Sequence, residues 1–137
     1  MAKIRHIAIR SEDVEQTVRF FTEVFGLELV QRRQHGPVDL SDGDVNITVL
    51  PLNVGGGAEV RPGFDHIGFS VEDEGAIRER LVASGASELN PIRLGDVYYE
   101  SKFKSPQGLV IDVGHWAGAS PVGEAGREPT AGAAANA

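Results

Sequence analysis

The sequence predicts an α+β fold made of two β-α-β-β-β modules paired around a concave cleft. An internal repeat predicts it first. Shifting the chain by 60 positions lays Ile4-Arg5-His6-Ile7-Ala8-Ile9 on Phe64-Asp65-His66-Ile67-Gly68-Phe69, Glu12-Asp13 on Glu72-Asp73 and Glu28-Leu29 on Glu88-Leu89. The second observation is the switch, within each copy, from period-2 alternation to helical spacing and back. The third is the Gly- and Pro-rich stretch Asn53-Val54-Gly55-Gly56-Gly57-Ala58-Glu59-Val60-Arg61-Pro62-Gly63 between the copies, which breaks both helix and strand. One domain over residues 1–116 follows, with module one at 1–52, a linker at 53–63 and module two at 64–116.

Each module opens with a strand, because His6 and Ala8 alternate with Ile7 and Ile9. A helix comes next. In the first copy Ser11 or Asp13 caps it, Val14, Val18, Phe21 and Phe25 form the apolar stripe, and Gly26 stands where a helix-ending glycine belongs. In the second copy Asp73 caps, Ile77 and Leu81 form the stripe, and Gly85 ends it. Three further strands complete each module, at about 28–34, 38–41 and 45–50, then at about 88–94, 97–104 and 109–114. Asp42-Gly43 and Pro106-Gln107-Gly108 supply the turns before the last strands. From Ala117 the chain turns to Ala, Gly, Pro and Glu, which bury too little to offset chain entropy, so 117–137 reads as a disordered tail.

Composition narrows the function. The 137 residues carry 13 Lys+Arg against 20 Asp+Glu, a net charge of −7, and no cysteine. An acidic chain is a poor non-specific ligand for nucleic acid. Thiolate nucleophiles and Cys-based zinc sites are excluded outright. No apolar run approaches the roughly 20 residues of a membrane span, and the amino terminus lacks the apolar stretch of a secretory signal. The expectation is a cytoplasmic domain that binds a small molecule.

Alternation places candidate chemistry in the cleft. Ile7, Ile9, Ile67 and Phe69 go under the helices, which turns His6, Ala8, His66, Gly68 and Ser70 the other way. In the last strand Leu109, Ile111 and Val113 are the core set, so Asp112 faces the cleft; its counterpart in the first module is Thr48. His6, His66 and Asp112 thus converge as potential ligands of one metal ion. Two imidazoles and a carboxylate leave other coordination positions open, as a catalytic rather than a closed structural site requires; the set suits Fe(II) and also Mn(II), Zn(II) or Ni(II). Tyr98, Glu100 and Lys102 share the cleft face of the preceding strand, with Tyr99 and Phe103 under the helix. Tyr98 is a candidate to position a substrate oxygen, and Glu100 or Lys102 to move a proton. Arg10 and Arg93 are candidates for a substrate carboxylate. His35 reads as a loop residue, and His115 and Trp116 as closing the edge of the barrel.

These residues resemble the vicinal oxygen chelate superfamily, which includes glyoxalase I, bleomycin-resistance proteins, extradiol dioxygenases and methylmalonyl-CoA epimerase. The likeness rests on the two His-bearing strands, on the helix running through Phe20-Phe21 to Phe25-Gly26-Leu27, and on Phe103-Lys104-Ser105-Pro106-Gln107-Gly108-Leu109-Val110-Ile111-Asp112, similar to the family's F-x-D-P-x-G-x-x-x-E segment. The resemblance implies paired modules around a metal cleft, within one chain or across a homodimer. It implies His6 and His66 as ligands and Asp112 in the place usually held by Glu. Thr48 stands where glyoxalase- and epimerase-type members carry Glu or Gln, which tilts the donor set toward the His-His-carboxylate pattern of extradiol dioxygenases and favours Fe(II). Lys102 and Ser105 depart from the ring-cleaving pattern, which carries Tyr and Asp there. The expectation is a divalent-metal enzyme acting on a small oxygenated substrate, dioxygenase-like or lyase/isomerase. The alternative is a metal-free, drug-sequestering protein of bleomycin-resistance type.

Overall fold

A computed structural model describes residues 1–54, 60–94 and 98–114, with side chains at all of these but 91–94, 98 and 99. The proposed tail, residues 55–59 of the linker, His115 and Trp116, and the side chains of Arg93, Tyr98 and Tyr99 lie outside the described residues.

The chain runs β1 (Lys3–Ser11), α1 (Val14–Phe25), β2 (Glu28–Arg32), β3 (Val38–Ser41), β4 (Asn46–Pro51), β5 (Gly63–Ser70), α2 (Glu74–Ala83), β6 (Ser87–Leu94), β7 (Tyr98–Lys104) and β8 (Val110–Gly114). This is β-α-β-β-β twice. Asp13 caps α1 by accepting from the Gln16 amide, and Gly26 ends it in the left-handed region at φ 70°. Asp73 caps α2 in the same way through the Ala76 amide.

The strands form one mixed sheet in the order β2-β3-β4-β1-β5-β8-β7-β6. Within each half the first strand runs parallel to the last, β1 with β4 and β5 with β8. The halves join where β1 and β5 pair antiparallel, with His6 opposite Gly68 and Ala8 opposite His66. That pairing confirms the counterparts read from sequence, since Ala8 aligns with Thr48 and Gly68 with Asp112.

One core cluster lies under each helix. Val18, Val38, Leu40 and Val49 are buried beneath α1, with Ile9, Val14, Phe21, Leu27 and Ile47 packed against them. Val71, Phe103 and Val113 form the other, with Phe69, Ile77, Leu81 and Ile111. Two expected core residues fall outside. Phe25 is 64% exposed, because it is the last residue of α1, with its ring beside those of Phe20 and Phe21. Leu109 is 51% exposed, because β8 begins one residue later.

The opposite face of β1 and β5 is the more buried one. His6, Ala8, Arg10 and His66 are all buried, whereas Ile7 and Ile9 are only half-buried. Sheet curvature accounts for this. β1 and β7 are three strands apart, about 14 Å in a flat sheet, yet the His6 and Glu100 side chains approach to 3.8 Å. The sheet curls around the polar face and closes over it.

Candidate metal centre

Four neighbouring strands build the site: β1 carries His6, β5 carries His66, β8 carries Asp112 and β7 carries Glu100 and Lys102. His6, His66 and Asp112 are buried, and each offers a ligand atom within 4.8 Å of the others. Asp112 Oδ2 lies 3.4 Å from His6 Nε2 and 3.1 Å from His66 Nε2. The two imidazoles meet edge to face with centroids 5.2 Å apart. Ligands about 2.1 Å from one ion stand about 3.0 Å apart in octahedral and 3.4 Å apart in tetrahedral geometry. The two Nε2–Oδ2 separations fall in that range, so the donor set fits a divalent ion.

Asp112 uses its two oxygens differently. Oδ2 faces both histidines, while Oδ1 accepts a 2.6 Å hydrogen bond from the Lys102 ammonium. Burial pushes its carboxyl upward, but hydrogen bonds from His6 and His66 and the charges of His66 and Lys102 outweigh that and hold it well below the usual carboxylate range. Burial also works against charge on His66, yet hydrogen bonds to Asp112 and Asp65 win, and the imidazole is more basic than usual. Glu100, buried beside His6, brings a second carboxylate into the same pocket. Tyr98 occupies a β7 position two residues before Glu100, opposite Leu94.

Gly68 makes room for His6. A methyl group built on it would lie 2.1 Å from His6 Cε1, 2.4 Å from Nδ1 and 2.7 Å from Nε2. The imidazole therefore lies flat against the glycine backbone.

Two further carboxylates and an arginine, Asp65, Asp39 and Arg10, take part in networks that no periodic pattern marks. Asp65 accepts from His66 Nδ1 at 2.6 Å. Arg10, read as a candidate for a substrate carboxylate, is instead consumed inside the protein. Its Nε donates to Asp65 at 3.0 Å, and one terminal nitrogen donates to the Pro51 carbonyl at 2.8 Å and to the Val54 carbonyl. Asp39, fully buried on β3, accepts from Thr48 Oγ1, Gln31 Nε2 and Arg33. It pairs with Thr48 as Lys102 pairs with Asp112. The candidate metal position of one module thus corresponds to a hydrogen-bonded network in the other. An aspartate between Val38 and Leu40 was the available signal for it.

Comparisons with known proteins agree with the architecture. A lactoylglutathione lyase, GLX1 of Arabidopsis thaliana, is 26% identical over 120 residues, covering 79% of this chain and 42% of its own length. The chain thus spans less than half of that curated relative. Among solved structures, the methylmalonyl-CoA epimerase of Streptomyces coelicolor in complex with 2-nitronate-propionyl-CoA superposes with a TM-score of 0.67 at 20% identity, over 85% of this chain and 98% of the epimerase. The 2,3-dioxygenase LapB of Pseudomonas sp. KL28 gives 0.67 at 21% identity, over 96% of this chain and 49% of LapB. At these identities the structural likenesses show the fold. Residues 3–113 match the model of the Glyoxalase/Bleomycin resistance protein/Dioxygenase superfamily, and the chain belongs to that superfamily.

Proposed function

We propose that the protein is a divalent-metal-dependent enzyme that moves a proton on a small oxygenated substrate, a lyase or isomerase reaction rather than an oxygen insertion. The observation that carries the proposal is the meeting of His6, His66 and Asp112 Oδ2 at ligand spacing, with a second carboxylate and an ammonium beside them. His6 and His66 would ligate through Nε2 and Asp112 through Oδ2. A bound ion would supply Lewis acidity, holding neighbouring substrate oxygens and stabilising the negative charge that develops on them. The donor set suits Fe(II), Mn(II), Zn(II) or Ni(II).

The remaining work falls to the chain's own side chains. Glu100 is the candidate base that takes a proton from carbon, and Lys102 the candidate acid that returns one; both stand beside the ligands on one strand. Tyr98 is the candidate that orients a substrate oxygen from the same strand. His6, His66, Glu100 and Asp112 are all buried, which strengthens the charge interactions among them.

A second reading has its own support. The Lys102 ammonium on Asp112 already neutralises the buried carboxylate without a metal, as a metal-free binding protein of the bleomycin-resistance type would need. One experiment separates the readings. Protein prepared without oxygen is assayed for bound metal, then offered α-oxygenated thioesters and ketones in deuterated water. Stoichiometric metal with deuterium entering the carbon beside the carbonyl is the expected result. Metal with oxygen consumption and no exchange would favour ring-cleaving chemistry instead. Protein that takes up no metal at neutral pH would overturn the enzyme reading.

A further inference from the structure

We propose that Asp65 is a positioning residue that fixes the His66 ring with its proton on Nδ1, so that the Nε2 lone pair is directed at the metal position, and that Arg10 holds Asp65 for this task. The inference rests on the metal reading above only for what Nε2 ligates; the proton placement stands on its own geometry.

A β-bulge makes the contact possible. Along the β1–β5 pairing Ala8 faces His66 and Ile9 faces Phe64, so Asp65 has no partner of its own. Neighbouring residues in a regular strand point to opposite faces, and a bulge turns two successive side chains toward the same side. His66 Nδ1 and Asp65 Oδ2 accordingly sit 2.6 Å apart, while the other ring nitrogen faces Asp112. Both carboxylates only accept, but Asp65 makes the shorter contact, 2.6 Å against 3.1 Å, and Asp112 already takes the Lys102 ammonium, so a neutral imidazole places its proton on Nδ1.

Arg10 completes the arrangement. Its side chain is only 3% exposed, and its Nε donates to Asp65 Oδ1, the oxygen that His66 leaves vacant. The same guanidinium grips the end of β4 and the backbone beyond it through the Pro51 and Val54 carbonyls. Strand β1, the segment after β4 and the bulge of β5 thus lock one carboxylate in place.

The pseudo-symmetric histidine has different neighbours. Strand β1 has the matching bulge, with Ile4 opposite Phe69 and His6 opposite Gly68, so Arg5 is the extra residue in the register. Arg5 is a cation, which cannot accept from a ring N–H, and it donates to the Asp44 carbonyl. Duplicated strands therefore carry unlike supports: His66 contacts the half-buried Asp65 carboxylate, and His6 lies on Gly68 beside Glu100.

Asp65→Asn gives the decisive test. Arg10 would keep the amide oxygen, turning the amide NH2 toward His66 Nδ1. The ring must then offer a lone pair at Nδ1 and carry its proton on Nε2, the wrong nitrogen for ligation. Imidazole 15N shifts, measured where the ring is neutral, should show Nδ1–H in the wild type and Nε2–H in Asp65→Asn. Cobalt(II) affinity, from competition with a chromophoric chelator, should fall 10- to 100-fold in the variant. A wild-type His66 protonated on Nε2, or a folded variant with unchanged tautomer and cobalt affinity, would overturn the inference. The wild-type spectrum alone decides the proton placement should Asp65→Asn not fold. A wild type that takes up no cobalt would defeat the metal reading, and the tautomer comparison would still decide this one.

Discussion

Gly68→Ala tests the geometry of the centre with one methyl group. The added Cβ would lie 2.1 Å from His6 Cε1 and within 2.7 Å of both ring nitrogens. Carbon atoms rest about 3.5 Å apart or more, so the imidazole must retreat by about 1.4 Å. A metal ligand tolerates a displacement of only about 0.5 Å. His6 is then lost as a ligand, and cobalt(II) affinity should fall at least 100-fold, about 2.7 kcal/mol. Stability should change little. Gly68 does not occupy the left-handed region, and the smaller conformational freedom of unfolded Ala offsets part of the strain. The pairing supplies an internal control, because His66 lies opposite Ala8 and already accommodates a Cβ there. Chelator competition and cobalt absorption measure the binding, and thermal unfolding without metal measures the fold. Wild-type affinity with an unchanged spectrum would show that His6 does not ligate from the position over Gly68.

Three other outcomes follow from the same structure. Phe103→Ala empties the second core cluster, where Phe103 is 1% exposed, and should cost about 3–5 kcal/mol in urea unfolding; a loss under about 1 kcal/mol would contradict the packing. Burial pushes the Asp65 carboxyl up, but hydrogen bonds from His66 and Arg10 prevail and hold it at about 2, below its ordinary 3.8. A carboxyl lowered on folding stabilises the protein above its ordinary value. About 2 kcal/mol should therefore disappear as pH falls from about 4 through about 2 in metal-free protein, and Asp65→Asn should lack that part of the acid dependence; superimposable profiles would refute the assignment. Lys102→Gln keeps a donor on Asp112 while removing a charge that repels a cation. Cobalt affinity should rise about tenfold, about 1.4 kcal/mol, and proton exchange on substrate should slow; unchanged affinity would mean that the ammonium does not stay beside the loaded site.

Much of the architecture was legible because its signals are local. Period-2 alternation separated the two faces of β1 and β5, the Asp caps and Gly26 delimited α1, and the 60-residue repeat paired His6 with His66. Thr48 could be matched to Asp112 because the last strands of the two halves share their apolar pattern. Phe25 and Leu109 went astray at element ends, where one residue of frayed structure reverses exposure.

What the sequence by itself determined is thus the two-module plan and the identity of the residues facing inward, since both follow from spacing along the chain. Only the tertiary structure decided how those residues meet. The curl of the sheet carried Glu100 across three strands to His6. The register of β1 against β5 set Gly68 beneath one imidazole and created the bulge that turned Asp65 toward the other. Arg10, outwardly another polar residue near a strand end, became the buried anchor of that carboxylate. Curvature, register and bulges depend on pairings between residues some 55–100 positions apart, which no local pattern encodes.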